Sequence, residues 1–339
     1  MIAAPRLDAL NTLGVAATAD RLVVVESERA LQGLLREAAD QRGGLVVLGG
    51  GSNVVLKRHV PGTVAIIRTR GTHIVPGRGG RVNVSVAAGE SWHGLVRFTI
   101  GQGLYGLENL ALIPGSVGAA PLQNIGAYGV ELADRLISLR AMEVASGAVR
   151  EFHREECGFA YRDSRFKSAD AGRFIILDVT LALSREAQPV IDYPELRLEL
   201  QRLGGSRISP VLVAEAVVRV RRRKLPDPRR VGNAGSFFKN PVVSAPKAEG
   251  LRAAVPGLVE HFQSDGRVKL SAAQLIDRAG FKARAAGKVG VWPRQPLVLI
   301  NRDGASGADV LAFGQSIRAE VQRLYGVSLE LEPQVYGVD

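Results

Sequence analysis

Residues 45–56 read LVVLGGGSNVVL: an apolar strand, then Gly49, Gly50 and Gly51 followed by Ser52 and Asn53, then a second apolar run. Three glycines after a strand allow the backbone to turn tightly and to approach a ligand without a Cβ atom in the way. The successive N–H groups of such a loop can bind a diphosphate. The spacing is neither the Rossmann pattern nor a Walker A loop. On its own, the loop is equally consistent with a tight hairpin turn.

The segments before this loop predict a βαβ-like unit. Residues 22–25 form a β-branched run, and residues 27–42 carry apolar side chains at helical spacing with Ser27 as the N-cap. A strand–helix–strand order that ends in a glycine loop is typical of an α/β nucleotide-binding domain. Downstream, the periodicity predicts strands over residues 54–56, 63–67, 81–86, 136–144, 174–183, 297–301 and 329–335, and helices over residues 91–101, 210–223, 271–279 and 307–325.

Two further loops carry candidate chemistry. The tract 101–129 is rich in glycine and apolar, follows neither the helix nor the strand period, and contains the amides of Asn109, Gln123 and Asn124. This composition suits a flat heteroaromatic ligand with many hydrogen-bonding edges, or else an Ω-loop packed on itself. In the loop 232–241, Ser236 lies between a glycine turn and two aromatic residues. It could give a proton to a carbanion, or be an ordinary turn residue.

Composition narrows the class of protein. The 339 residues include 44 Lys and Arg against 33 Asp and Glu, which gives a net charge of +11. Such a charge favours anionic partners, or it reflects the frequent use of arginine in an organism with a GC-rich genome. The single Cys157 excludes an internal disulfide, and the five histidines never occur at paired metal-ligand spacing, so we expect no metal. No apolar run is long enough to span a membrane, so we expect no membrane insertion and a cytoplasmic location. The basic run 221–224 precedes Pro226 and Pro228, which mark a domain boundary.

Taken together, these loops resemble the UDP-N-acetylenolpyruvoylglucosamine reductase family. The resemblance rests on blocks that occur in order at residues 11–14, 49–53, 108–129, 161–167, 224–228, 232–241, 271–280, 297–301 and 329–337. It implies an α+β protein with an FAD-binding fold of the vanillyl-alcohol-oxidase (PCMH) type. The first FAD-binding subdomain would be residues 1–70, closed by the C-terminal strand 333–339, and the second 71–219. A C-terminal α/β substrate-binding domain would span 220–332, and the segment 188–193 resembles the tyrosine loop of the family's long form.

The chemistry implied by the resemblance is the NADPH-dependent reduction of UDP-N-acetyl-enolpyruvoylglucosamine to UDP-N-acetylmuramate, a peptidoglycan precursor, through non-covalent FAD. Hydride would pass from flavin N5 to C3 and a proton from Ser236 to C2, while Arg162 and Glu332 act near the substrate carboxylate. The matching substrate-contact positions are Tyr193, Lys224, Asn240 and Gln295. The expected cofactor-binding residues are Gly49, Gly50, Gly51, Ser52, Asn53, Pro114, Gly115, Ser116, Gly118, Ala119, Gln123, Asn124, Gly126, Ala127, Tyr128 and Gly129. The partners would be the UDP-sugar and NADPH, without nucleic acid, and the protein a monomer.

The terminal carboxylate needs a choice of register. The common family pattern is Leu-Glu-Pro-Glu-Val-Arg, whereas residues 329–334 of this chain read LELEPQ. Matching the Glu-Pro pair would place Gln334 in the catalytic position, but counting without gaps from either side selects Glu332. A strand over 329–335 would put Glu330, Glu332 and Gln334 on one face, so alternation does not decide.

Two alternatives stay open from the sequence. One is another FAD-dependent oxidase of the same superfamily that acts on an alcohol or a sugar, although neither flavin loop offers a histidine for a covalent link. The other is a nucleic-acid-binding protein that uses the stretch 219–224, which would bind polyanions in a salt-sensitive way.

Overall fold

The computed structural model describes residues 4–38, 43–77, 79–204 and 208–339. The helices are α1 (Glu28–Ala38), α2 (Trp92–Gly101), α3 (Pro194–Leu203), α4 (Pro210–Lys224), α5 (Ala245–Ala254), α6 (Ala272–Arg278) and α7 (Gly307–Tyr325). The strands are β1 (Thr18–Val25), β2 (Leu45–Leu48), β3 (Val54–Leu56), β4 (His59–Ile67), β5 (Thr72–Pro76), β6 (Arg81–Ala87), β7 (Gly126–Ala127), β8 (Val130–Glu131), β9 (Leu136–Glu143), β10 (Val149–His153), β11 (Phe174–Ser184), β12 (Gly232–Ser236), β13 (Val242–Val243), β14 (Glu260–Phe262), β15 (Val268–Leu270), β16 (Ala285–Ala286), β17 (Val289–Val291), β18 (Val298–Asn301) and β19 (Gln334–Tyr336).

Two compact units make up the chain. Unit 1 comprises Met1–Asp20, Gly51–Pro61 and Lys224–Asp339, and unit 2 comprises Arg21–Gly50 and Gly62–Arg223. The chain therefore passes from unit 2 to unit 1 in the middle of the glycine loop, and again at the end of α4.

Unit 2 is built on a five-stranded antiparallel sheet of order β10-β9-β11-β6-β5. Apolar residues from this sheet and from α2, α3 and α4 share one hydrophobic cluster. A smaller cluster gathers Leu31, Leu34 and Leu35 of α1 with Val25 and Ala65. The strands β1, β4 and β2 form a three-stranded sheet in that order, with β2 and β4 parallel. The amphipathic spacing of the helices thus explains which faces are buried.

Unit 1 contains the four-stranded antiparallel sheet β12-β18-β17-β16 and the three-stranded sheet β13-β15-β14. The last strand, β19, pairs in parallel with β3, so that Gln334 lies opposite Val54. The end of the chain is therefore fixed beside the strand that follows the glycine loop. Helix α7 begins at Gly307, where an added Cβ would collide with the carbonyl of Leu56, so the helix start packs against the same strand.

Most predicted elements are confirmed, and the helix 307–325 agrees to the residue. The N-cap is confirmed as well, because Ser27 Oγ accepts the N–H of Ala30 at 3.1 Å; residues 39–42 of that predicted helix lie outside the described residues. The predicted strand 329–335 is wrong over 329–333, which belongs to no strand among the described residues and has an isolated bridge between Leu331 and Phe238. Residues 232–236 of the predicted loop 232–241 form strand β12 instead, because they pair with β18.

Candidate active site

The predicted site residues divide between the units. Unit 2 contains Gly49 and Gly50 of the glycine loop, the tract 114–129, Arg162 and Tyr193. Unit 1 holds the remaining predicted residues, namely Gly51, Ser52, Asn53, Lys224, Ser236, Asn240, Gln295 and Glu332.

In unit 2, the glycine loop packs directly against a second loop. An added Cβ on Gly50 would lie 2.8 Å from the Cα of Gly115, and one on Gly49 would collide with Ser116 Oγ. The second loop is held in turn by the N–H of Trp92, which donates to the carbonyl of Gly115 at 3.1 Å. Atoms of Gly115 and Ser116 therefore occupy the space that side chains at Gly50 and Gly49 would need, so the lack of side chains lets the two loops touch. This differs from the direct ligand approach that the sequence suggested.

The tract 101–129 folds as short 3₁₀ turns fixed by amide side chains. Buried Asn109 donates through Nδ2 to the carbonyls of Tyr128 and Val190, both at 2.8 Å. Buried Asn124 donates to Glu131 Oε2 at 2.7 Å and accepts the N–H of Ala133 at 3.0 Å. Because these amides bond to the protein itself, they position the tract, and its small residues and backbone groups are what it can present to a ligand.

Backbone strain in unit 2 concentrates in this tract and at Arg162. Among the residues of unit 2 that the structure describes, those with side chains and φ in the left-handed region that favours glycine are Leu112 (59°), Asn124 (42°), Tyr128 (49°) and Arg162 (55°). Such strain persists only where surrounding contacts enforce it, and it clusters at ligand sites. Arg162 is joined to the tract, since its Nη2 donates to the carbonyl of Gly126 at 3.0 Å.

Two tyrosines meet at the edge of the tract. The rings of Tyr128 and Tyr193 pack edge to face, with centroids 5.2 Å apart. Burial raises the pKa of Tyr128 to about 12, so its phenol stays neutral at physiological pH. Tyr193 is the N-cap residue of α3 and is 41% exposed. It is therefore supported on one side by Tyr128 and open to solvent on another.

In unit 1, Ser236 ends strand β12 in a turn organised by Asn233. The buried Asn233 side chain donates to the carbonyl of Val231 at 2.9 Å and accepts the N–H of Gly235 at 3.0 Å. Gly235 has φ of +70°, a conformation that a glycine adopts without strain. The Asn233 backbone also exchanges two hydrogen bonds with Thr12. These contacts fix the backbone from which the Ser236 hydroxyl projects.

The chain after Ser236 pairs with the segment that carries Glu332. The N–H of Glu332 donates to the carbonyl of Phe237 at 3.1 Å, and the N–H of Lys239 donates to the carbonyl of Glu330 at 2.9 Å. This pairing places Ser236 and Glu332 on adjoining chain segments. The N–H of Leu331, between the two bonds, takes no part in the pairing, so the pairing does not need the backbone donor that proline lacks. The gap-free register, in which Leu331 stands where the common pattern has proline, is thus physically consistent.

The two carboxylates differ in their surroundings. Glu332 is buried, at 9% exposure, and Asn53 Nδ2 lies 3.4 Å from its carbonyl oxygen. The Glu330 side chain is 73% exposed and pairs with Lys239 Nζ at 3.2 Å. Because residues 329–333 are not a regular strand, the alternation considered for the sequence does not apply, and burial distinguishes the two groups instead.

The predicted substrate-contact residues of unit 1 are held by hydrogen bonds to neighbouring residues. Trp292 Nε1 donates to the carbonyl of Lys224 at 2.9 Å, and the N–H of Gln295 donates to the carbonyl of Trp292 at 3.2 Å. Asn240 Oδ1 accepts the N–H of Ala272 at 3.0 Å, at the start of α6. Trp292 therefore links Lys224 with Gln295, a contact that the sequence did not predict because 68 residues separate Trp292 from Lys224.

Comparison with known proteins identifies the family. Residues 227–336 match the model described as UDP-N-acetylenolpyruvoylglucosamine reductase, C-terminal domain, and residues 19–153 match one described as FAD binding domain. A reductase of this name from Bordetella pertussis is 50% identical over 329 residues, which cover 97% of this chain and 93% of the relative. The chain belongs to the UDP-N-acetylenolpyruvoylglucosamine reductase family. A family member from Pseudomonas putida is 43% identical, with 96% of each chain covered.

A solved member of the family has the same fold. The crystal structure of the Thermus caldophilus reductase matches with a TM-score of 0.67 and 26% identity, over 99% of this chain and 100% of that one. The predicted family and the predicted fold class, an FAD-binding α+β fold with a C-terminal reductase domain, are confirmed. The chain is accordingly an FAD-dependent oxidoreductase of peptidoglycan precursor synthesis.

The residues of unit 2 fit a flavin nucleotide. The two touching loops and the strained tract lie within the matched FAD-binding segment and offer small residues and backbone groups to such a ligand. Among residues 4–38, 43–77, 79–204 and 208–339, no group of three or more His, Cys, Asp or Glu could hold a metal ion. In those same residues, no helix is long and apolar enough to cross a membrane.

Proposed function

We propose that the protein reduces UDP-N-acetyl-enolpyruvoylglucosamine to UDP-N-acetylmuramate with NADPH as the co-substrate. The observation that supports this most is the pairing of residues 237–239 with 330–332, because it holds a serine hydroxyl and a buried carboxylate on adjoining segments of the matched C-terminal domain. The cytoplasmic location, the monomeric state and the division into residues 1–70, 71–219 and 220–332 stay predictions.

FAD, when bound, supplies hydride transfer from NADPH to the enolpyruvyl group. The proposal assigns its non-covalent binding to the glycine loop 49–53 and to the small residues of 114–129. Gly49 and Gly50 let the two loops touch, and Asn109 and Asn124 hold the tract in its strained conformation.

Ser236 is proposed as the proton donor to C2. A serine hydroxyl is a very weak acid, so it donates only to a strongly basic carbon such as the carbanion that develops next to the substrate carboxylate. The turn fixed by Asn233 and Gly235 holds the backbone next to Ser236 in place, which helps to position the hydroxyl as general acid catalysis requires.

Arg162 and Glu332 are proposed to act on the charge that develops during reduction. The guanidinium of Arg162 suits a carboxylate, which it can bind through two parallel hydrogen bonds. Its backbone strain and its bond to Gly126 hold it rigidly, so it needs little reorganisation when the charge develops. Glu332, buried in unit 1, would orient the substrate.

The substrate diphosphate is assigned to Tyr193 and Lys224, and Asn240 and Gln295 are assigned as further substrate contacts. Lys224 offers a compact positive charge. Tyr193 is exposed enough to close over a ligand, with Tyr128 supporting its ring. We expect Tyr193→Phe and Lys224→Ala to weaken substrate binding in calorimetry while FAD stays bound. Normal binding by either variant would remove that residue from the assignment.

The proposed reaction is tested by identifying its product. Holoprotein incubated anaerobically with NADPH and the enolpyruvyl substrate should yield, by mass spectrometry, a nucleotide sugar that has gained two hydrogen atoms. Ser236→Ala should reduce the yield by about a hundredfold to ten-thousandfold. Exposed Ser244→Ala, the matched control in the same unit, should not reduce it. Unchanged substrate after incubation with the unmodified holoprotein would refute the proposal.

A further inference from the structure

Helix α4 carries an arginine on its buried side. The apolar residues Val213 and Val217 belong to the hydrophobic core of unit 2. Residues four apart lie on the same face of a helix, so Arg221 continues the row that these two valines begin. Arg221 is only partly exposed, and its Nε is fully buried. The sequence shows a basic run at 221–224, and its helical spacing from the two valines is the signal that Arg221 lies on the buried side.

Arg221, unlike Arg219 and Arg223, makes no ion pair with any acidic residue that the structure describes. Arg219 pairs with Glu215 at 2.7 Å, and Arg223 pairs with Glu199 at 2.9 Å. The buried Nε of Arg221 makes no hydrogen bond to any residue that the structure describes. A buried N–H without an acceptor is unfavourable in the folded protein, so the Nε of Arg221 favours a ligand that supplies one.

The groups around Arg221 do not neutralise it. Its electrostatic neighbours are Tyr128, whose phenol stays neutral, and the cation Arg162. Burial lowers the pKa of Arg221, and the charge of Arg162 acts in the same direction. Burial and the positive charges of Arg97, Arg222 and Arg221 likewise lower the pKa of His93. Several arginines therefore act on groups beside the strained tract, where Glu195 also acts on Tyr128.

We propose that Arg221 is a second arginine of the carboxylate site, so that Arg162 and Arg221 together bind the carboxylate of the substrate. This inference rests on the proposed function. A carboxylate has two oxygens and four lone-pair directions, enough for two guanidinium groups. Arg221 thereby determines specificity, because it separates a carboxylated nucleotide sugar from one that lacks the group.

The inference is tested with two ligands that share the diphosphate. UDP-N-acetylmuramate carries the carboxylate and UDP-N-acetylglucosamine does not. In calorimetry with FAD holoprotein, Arg221→Met should weaken binding of the first by about tenfold to a hundredfold, the range for a hydrogen bond to a charged group. Binding of the second should change less than about twofold. The matched control Arg219→Met, a surface residue paired with Glu215, should leave both affinities unchanged.

Two readouts separate this role from a structural one. Arg221→Met should leave the rate of flavin reduction by NADPH unchanged, and the substrate-free holoprotein should unfold at no lower a temperature, because no protein acceptor is lost. Arg221→Lys keeps the charge but not the two-pronged geometry, so it should weaken only the carboxylated ligand, and it tests the inference even where Arg221→Met does not fold.

Several results would overturn the inference. Equal weakening of both ligands would place Arg221 at the diphosphate, slower reduction by NADPH would place it at the dinucleotide, and unchanged affinities would remove it from the site. A fall in unfolding temperature of several degrees, with both ligands weakened, would make it structural. Failure of the unmodified holoprotein to convert the enolpyruvyl substrate would instead refute the proposed function, whatever the variants do.

Discussion

Replacing Glu332 and Glu330 by Gln, one at a time, distinguishes the roles of the two carboxylates. Glu332→Gln removes a negative charge from a side chain that is only 9% exposed, with almost no change in shape. Charge stabilisation in a site of this kind is typically worth about a hundredfold to a thousandfold in rate. Glu330→Gln removes one exposed ion pair, to Lys239 at 3.2 Å, which is worth about 0–1 kcal/mol and so at most about a fivefold change. The backbone pairing of 330–332 with 237–239 needs neither side chain.

The assay is a single turnover followed through flavin absorbance. Each variant is reduced anaerobically with NADPH and then mixed with the enolpyruvyl substrate, so that reduction and reoxidation are timed separately. Glu332→Gln should slow reoxidation strongly and reduction little, while Glu330→Gln should leave both near normal. If Glu330→Gln instead slowed reoxidation more than Glu332→Gln, the register would be wrong and Glu330 would take the catalytic position.

Three further predictions follow from named contacts. Asn233→Ala, which frees the turn before Ser236, should slow flavin reoxidation by substrate at least tenfold while flavin reduction by NADPH stays near normal; equal slowing of both would contradict the positioning role. Gly50→Ala should lower the FAD content of the purified protein, measured by absorbance, whereas Gly250→Ala, which meets open space, should not. Burial raises the pKa of Cys157 from 9.0 to about 12, so the thiol stays neutral at pH 8 and should react with a disulfide reagent only after unfolding. The free energy of unfolding should fall as the pH rises from about 9 towards 12, because the thiol loses its proton more readily in the unfolded chain.

Regular elements could be predicted because their periods are local. Helix α7 has apolar residues at helical spacing, a capping box at Ser306 and a left-handed Gly326 at its end, so its bounds follow from nearby residues alone. The strand 329–335 could not be predicted correctly, because its alternation is real in the sequence while only Gln334–Tyr336 finds a partner strand. Pairing is a tertiary property that alternation does not report.

The sequence predicts the proposed site residues from their motifs, but it does not predict the contacts around them. Ser236, Arg162 and Glu332 stand in recognisable motifs. The backbone of Asn233, in contrast, is held by a hydrogen bond from Thr12, which is 221 residues away. Such a pair has no local signature. Arg221 was hidden for a different reason: a run of basic residues resembles a solvated surface, and only its register with the buried valines of α4 shows that one member turns inward.

The most direct test of the account is the reaction cycle of the unmodified holoprotein in the absence of oxygen. NADPH should bleach the flavin absorbance, and after removal of excess NADPH the enolpyruvyl nucleotide sugar should restore it in a single turnover. UDP-N-acetylglucosamine, which lacks the enolpyruvyl group, should not restore it. A flavin that NADPH reduces but that the enolpyruvyl substrate leaves reduced, or one that an alcohol or sugar reduces and oxygen alone reoxidises, would contradict the account.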